Sequence, residues 1–305
     1  MRPRLLITLG DVAGIGPEIV AKAWPQLLAL ADVRIVGDPA RLPAGLPVVN
    51  PSAADLSRVR QGVVSADAGR AAYDWLCFAI DECLAGRADG IVTCPLHKEG
   101  LHAAGVAHPG HTEILAERTG TSAFAMLLYD EAMPLAVAHV TLHLGLKEAL
   151  PRISTAGVLE KIRLLHDILP KLIDRPARIG VAALNPHAGD GGLFGDEERT
   201  IIAPAVAQAV REGILASGPY PPDAIFLKRA QFEGIVAMYH DQGHIPMKLL
   251  GGRRAVNVSA GLPIVRTSVA HGTAYDIAGQ GIADESSLVS AVRVAAKLAA
   301  RPHAG

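Results

Sequence analysis

The chain has 305 residues, half of them hydrophobic, and its 29 lysines and arginines against 30 aspartates and glutamates leave a formal charge of −1. That length supports one large or two medium domains with a substantial core. The charge balance argues against a broad basic face for nucleic acid, and an aromatic content of 4% removes the stacking surface that single strands need.

Leu5-Leu6-Ile7-Thr8-Leu9 reads as a buried strand, and the segment from Gly10 to Glu18 as a turn opening a helix, with Pro17 suited to the first helical position and Glu18 to the positive end of the dipole. Gly14-x-Gly16 lacks the third glycine and the following acidic residue of a dinucleotide fingerprint, so it reads as a tight turn, with ligand contact the alternative. Val33 to Val36 is a second strand and Pro39 to Pro51 a surface connection; Ala66 to Leu84 has helical spacing and carries Cys77 and Cys83 as core thiols. Three cysteines without CxxC spacing predict neither a disulfide framework nor a zinc ribbon. That cysteine usage fits a reduced cytoplasmic compartment; the start, Met1 to Arg4 and one short apolar run, is too brief for a signal peptide, and no run reaches the roughly 18 residues of a membrane helix.

Gly90 to Pro95 is a further strand with His97-Lys98 just beyond it, and His108-Pro109-Gly110-His111-Thr112-Glu113 leads into a helix that Thr112 would cap and whose amino end would suit an anion. Ala123 to Tyr129 and Leu135 to Val140 read as neighbouring strands, Ser154 to Ile173 as a surface helix, and Ala177 to Leu184 as a strand, after which Asp196-Glu197-Glu198 starts the next helix. Gly234-Ile235-Val236-Ala237 reads as a strand running into a working loop, Tyr239 to Lys248, that holds His240, Asp241, His244 and Lys248. His143, His187 and His240 thus each follow an apolar strand, a position where three imidazoles suggest a metal more strongly than any one does. Ala255 to Ser259 and Ile264 to Arg266 are short strands, and a helix from about Glu285 to Ala300 ends the pattern. Strands alternating with helices predict α/β, a two-part twisted sheet with helices on both faces.

Five motifs in this order carry a resemblance: Gly10-Asp11-x-x-Gly14-Ile15-Gly16-Pro17-Glu18, Pro109-Gly110-His111-Thr112-Glu113, Asn185-Pro186-His187-Ala188-Gly189, Tyr239-His240-Asp241-Gln242-Gly243, and Gly261 to Ser268. Together they resemble the 4-hydroxythreonine-4-phosphate dehydrogenases of pyridoxal phosphate synthesis and their paralogues on four-carbon sugar-acid phosphates. The resemblance implies an isocitrate/isopropylmalate dehydrogenase-like fold, with residues 1–112 and 235–305 forming a larger part and residues 113–234 a smaller one that carries dimer and metal contacts. It implies one divalent metal ion (zinc, magnesium, manganese or cobalt) on His143, His187 and His240, and substrate contacts from His111, Thr112, Lys248, Asn257 and Arg266. It further implies NAD or NADP on a segment containing His271, Gly272 and Asp276, and a homodimer whose active sites take residues from both subunits.

Three neutral imidazoles would leave an open metal position where an alcohol loses its proton more readily while hydride passes to the cofactor. Asp241 or Lys98 is the expected proton acceptor or relay, with Asp223 a further candidate; either of the first two could instead orient a ligand histidine. His244, and Gly145 after His143-Leu144, depart from the biosynthetic pattern and resemble the paralogues acting on phosphorylated threonate and erythronate. A cis-dihydrodiol dicarboxylate dehydrogenase and a catalytically silent binding protein of the same fold are the remaining alternatives.

Overall fold

The computed structural model describes residues 2–300 apart from Pro109 and Arg253, so Pro109 of the second motif and residues 301–305 of the expected larger part lie outside the described residues. Its elements in chain order are β1 (Arg4–Thr8), α1 (Gly16–Leu30), β2 (Asp32–Val36), β3 (Val48–Val49), α2 (Ala66–Leu84), β4 (Gly90–Thr93), α3 (Lys98–Ala103) and α4 (His111–Thr119). Then follow β5 (Ala125–Asp130), β6 (Leu135–His139), α5 (Leu146–Ala149), α6 (Thr155–Ile173), β7 (Ile179–Ala182) and α7 (Ala203–Arg211). The series ends with β8 (Ala216–Tyr220), α8 (Pro222–Ile225), β9 (Gly234–Ala237), α9 (His240–Gly251), β10 (Val256–Ala260), β11 (Arg266–Val269) and α10 (Ser286–Ala299). The expected α/β class is what the chain adopts.

Two compact units divide the chain, one of residues 1–122 and 262–305, the other of residues 123–261. The breaks fall later than the expected 112/113 and 234/235 boundaries: α4 packs on α2 and stays with the first segment, while β9 pairs with β6 and β7 and β10 pairs with β5, which keeps both with the central segment.

In the first unit the strand order is β3-β2-β1-β4-β11 and every pairing is parallel, Ile7 lying opposite both Ile35 and Val92. Strands covered on both faces need nearly continuous apolar runs, and Leu5-Leu6-Ile7 and Gly90-Ile91-Val92 supply them. Ser65 starts α2 by accepting from Ala68 N, and α2 buries Trp75, Leu76 and Ile80. Fully burying an indole contributes roughly 1.5–3 kcal/mol through apolar area, and Asn50 Oδ1 accepts the Trp75 Nε1 proton at 2.8 Å. The carboxyl ends of β1, β4 and β11 deliver the loops that carry the glycine-rich turn, His97-Lys98 and the segment 270–281.

In the second unit the order is β10-β5-β6-β9-β7-β8, antiparallel through β10, β5 and β6 and parallel from β6 onward. Ser154 caps α6 by accepting from Gly157 N, and the helix lays Val158, Ile162, Leu165 and Leu169 into the core. The segment 240–248, expected as a loop, is the start of helix α9. Gly243 and Pro246 disguise it, yet His240, His244 and Lys248 are spaced four apart and so share one helical face. Gln242 anchors the first turn: its Oε1 accepts from Met238 N at 2.7 Å and its Nε2 donates to Ala183 O at 2.8 Å, tying α9 to the end of β7.

Candidate active site

In the first unit the ends of β4 and α4 and the start of β11 bring together the anion-binding candidates. Arg266, 4% exposed, sends its guanidinium along the sheet so that Nη2 donates to Thr93 Oγ1 at 2.7 Å. Burial pulls its pKa down to about 10, so it stays charged at neutral pH. His111 is the first residue of α4; desolvation, then the Arg266 charge, push its pKa well below the usual value and keep it neutral. Gly110 occupies the position before the helix and no side chain caps it, which corrects the expectation for Thr112: it lies inside the first turn, not at the cap. First-turn amides have no partner within their own helix, so His111, Thr112 and Arg266 together offer an anion N–H donors and a cation.

The cofactor candidates lie in the same unit. His271 Nδ1 stands 2.9 Å from Gly272 O, while its Nε2 is buried with no hydrogen-bond partner among the described residues, and a side-chain atom added at Gly272 would meet none of them within 4 Å. An unmatched polar atom beside open backbone fits a nucleoside; Asp276 is exposed nearby in sequence, its carbonyl accepting from Gln280. Two residues not singled out as site members organise this segment: Tyr275 donates its hydroxyl to buried Asp11 at 2.7 Å, and Asp11, its pKa raised by burial, also accepts from Ala13 N. His97 stacks on the Tyr275 ring at 4.7 Å, and Lys98, next to it, is exposed at the start of α3.

In the second unit the metal candidates are partly assembled. Val140 N and Thr141 N donate to Ala237 O and Met238 O, so the chain past β6 runs beside the chain past β9 and the His143 and His240 rings come to 5.7 Å. Both line a cavity of about 350 Å³ with Leu142, Leu146, Tyr239 and Asp241; a second cavity of about 490 Å³ shares Leu146 and Tyr239 and reaches Asn185 and Glu197. His240 Nδ1 donates to Asp241 Oδ1 at 2.6 Å, which leaves Nε2 with its lone pair, the arrangement a metal-ligating imidazole needs.

Among the described residues His187 makes no ring contact with either His143 or His240. It opens a run, His187 to Gly191, with every φ between 42° and 79°, a left-handed turn that costs non-glycine residues roughly 1–2 kcal/mol each. Buried Glu198 holds the approach to that turn, accepting from Leu184 N and Asn185 N at 2.8 Å each. The His187 ring meets Phe194 at 6.4 Å. Among the described residues no group of three or more His, Cys, Asp or Glu stands ready to hold a metal, so one chain supplies His143 and His240 as a fitting pair and not the full three-histidine set.

Asp223 is exposed on α8, which packs on the His187 turn; Lys248 is exposed in the last turn of α9; Asn257 is half-buried in β10 opposite Leu128. Sequence reading missed His139, which ends β6, is 3% exposed and shares a hydrogen bond of 3.1 Å with His244. A histidine inside the apolar run 135–140 was the available signal. Burial holds both pKa values down, that of His244 to about 4, so both rings are neutral.

The chain has named relatives over nearly its whole length. The family described as pyridoxal phosphate biosynthetic protein PdxA matches residues 17–295. The chain is 43% identical to the 4-hydroxythreonine-4-phosphate dehydrogenase of Beijerinckia indica, covering 96% of this chain and 94% of that one. It is 42% identical to the D-threonate 4-phosphate dehydrogenase of Bordetella bronchiseptica, covering 97% and 93%. A crystal structure of 4-hydroxythreonine-4-phosphate dehydrogenase from Klebsiella pneumoniae superposes with a TM-score of 0.87 at 40% identity, covering 98% of both chains. Near-complete coverage by named dehydrogenases, with the five motifs in place, makes this chain a member of the pyridoxal phosphate biosynthetic protein PdxA family of oxidoreductases.

Proposed function

We propose that the chain oxidises the secondary alcohol of a 4-phosphorylated four-carbon acid with NAD or NADP and then releases carbon dioxide. The observation that carries this reading is Arg266: a guanidinium held charged at 4% exposure, beside a helix amino end, is suited to a desolvated phosphate. His111 and Thr112 join it, and the family resemblance adds Lys248 and Asn257 to the substrate contacts. His271, Gly272 and Asp276 hold the adenosine half of the cofactor.

His143, His187 and His240 hold a divalent ion, the third ligand being completed when two copies of the chain pair into a homodimer. Such an ion would lower the alcohol's pKa and offset the negative charge left behind as carbon dioxide departs. Asp241 fixes the His240 tautomer, which leaves exposed Lys98 as the proton acceptor and Asp223 as an outer group near the His187 turn. The alcohol carbon loses hydride to the nicotinamide and its hydroxyl loses a proton to the base; the resulting 3-keto acid loses carbon dioxide and takes up a proton at C2. The reaction belongs in the cytoplasm, and no helix among the described residues is long and apolar enough to cross a membrane.

The substrate is 4-hydroxythreonine 4-phosphate or the corresponding threonate. The second reading is favoured by the polar pair His139 and His244 behind His240. The deciding assay supplies NAD or NADP with 4-phosphohydroxythreonine, 4-phosphothreonate, 4-phosphoerythronate and an aromatic cis-dihydrodiol dicarboxylate, following absorbance at 340 nm and carbon dioxide release. Reduction is expected with a phosphorylated acid, abolished by chelation and restored by a divalent ion. Turnover insensitive to the chelator, or none with any substrate, overturns the reading.

A further inference from the structure

We propose that His139 and His244 are positioning residues, a buried two-imidazole prop that fixes the ring of His240 for its ligand. The inference rests on the assignment of His240 to the metal and concerns only residues of the second unit.

The geometry is that of a stack braced from behind. The His244 ring lies flat against His240, with centroids 3.8 Å apart and planes 10° from parallel. It is one helical turn away on α9, where the spacing alone would allow many relative ring angles. What removes that freedom is His139. Its Nε2 stands 3.1 Å from His244 Nδ1, and its ring is 4.6 Å from the His244 ring. His244 Nδ1 is also 3.2 Å from the carbonyl of His240, which can only accept, so Nδ1 carries the proton and His139 Nε2 receives it.

Three features mark the arrangement as built, not incidental. Position 243 is glycine, and a side-chain carbon there would lie 2.3 Å from His139 Nε2, so the prop reaches His244 only past a bare backbone. The tautomer leaves the His139 proton on Nδ1, which is buried without a hydrogen-bond partner among the described residues. Leaving such a donor unmatched costs roughly 1–3 kcal/mol, which a leucine at position 139 would avoid. Finally, His240 is gripped on two sides: Asp241 takes Nδ1 at its edge and His244 covers its face, leaving Nε2 as the nitrogen unengaged among the described residues. A flat neighbour and an edge carboxylate together restrict both the ring's tilt and its rotation, so His240 loses little freedom on taking a ligand.

The test is calorimetric titration of Co²⁺ into the full-length chain after chelation, with the Co²⁺ absorption spectrum as a second readout. The original chain should bind. His244→Ala should bind about ten- to hundredfold more weakly, the range for lost outer partners of a metal ligand. His244→Phe, which restores a flat ring without the nitrogens, should recover part of that loss, and His139→Leu, which removes the brace and leaves the stack, should fall between. Melting temperatures of the metal-free variants separate the prop from general destabilisation. Should His244→Ala fail to fold, His139→Leu carries the test alone. Affinity and spectrum unchanged in His139→Leu and His244→Ala would overturn the prop while leaving the metal assignment standing; absence of Co²⁺ binding by the original chain would overturn both.

Discussion

The two units bury their polar groups in opposite electrostatic senses. In the first, Arg266 keeps its charge at 4% exposure while desolvation, and then that charge, holds neighbouring His111 neutral, so the burial is of a cation. In the second, His139 and His244 are held neutral by desolvation and His240 is oriented by Asp241, so what is presented is an imidazole lone pair. The first arrangement suits an anion and the second a cation. A sequence shows both as polar residues following apolar strands; burial sorts them into two chemistries.

The largest way to break this division is Arg266→Met. Removing the buried cation should raise KM for the phosphorylated substrate about a hundredfold, the scale of a lost buried charge contact, while the original metal affinity survives. An unchanged KM would remove the phosphate assignment. A smaller effect concerns His111. Its folded-state pKa is lowered, so as pH falls through the unfolded value near 6.5 the unfolded chain takes up a proton that the folded chain refuses. Stability from this group is therefore lost as pH falls through the unfolded value. His111→Gln does not titrate and should lose less stability than the original chain on acidification, in urea unfolding of metal-free protein. Equal slopes for the two proteins would show that His111 is not buried neutral.

Much of the fold was legible because its signals are local. Helix α2 spans residues 66–84 as read, since Ser65 caps it and its apolar residues keep one face. Strands β1 and β4 of the first unit announced themselves as apolar runs, whereas β11, expected at 264–266, spans Arg266–Val269 because Thr267 and Ser268 pair with β4 despite their polarity. Helix α9 did not, because Gly243 and Pro246 are residues that local rules assign to loops; Gln242 and the packing on β9 override them. His139 was hidden for a related reason: its partner is 105 residues away, and a lone histidine in a strand carries no local mark of a bond. The left-handed turn at His187 is likewise invisible beforehand, since His187, Ala188 and Asp190 adopt a conformation their side chains disfavour and Glu198 fixes the backbone leading into it. The unit boundaries shifted because strand pairing, not order along the chain, assigns β9 and β10.

The division of labour is tested most directly by titrating inorganic phosphate and Co²⁺ separately into the original chain, Arg266→Met and His240→Ala. Arg266→Met should lose phosphate binding and keep Co²⁺, and His240→Ala should lose Co²⁺ and keep phosphate. If either variant loses both ligands, or neither ligand is lost by its assigned variant, the account is contradicted.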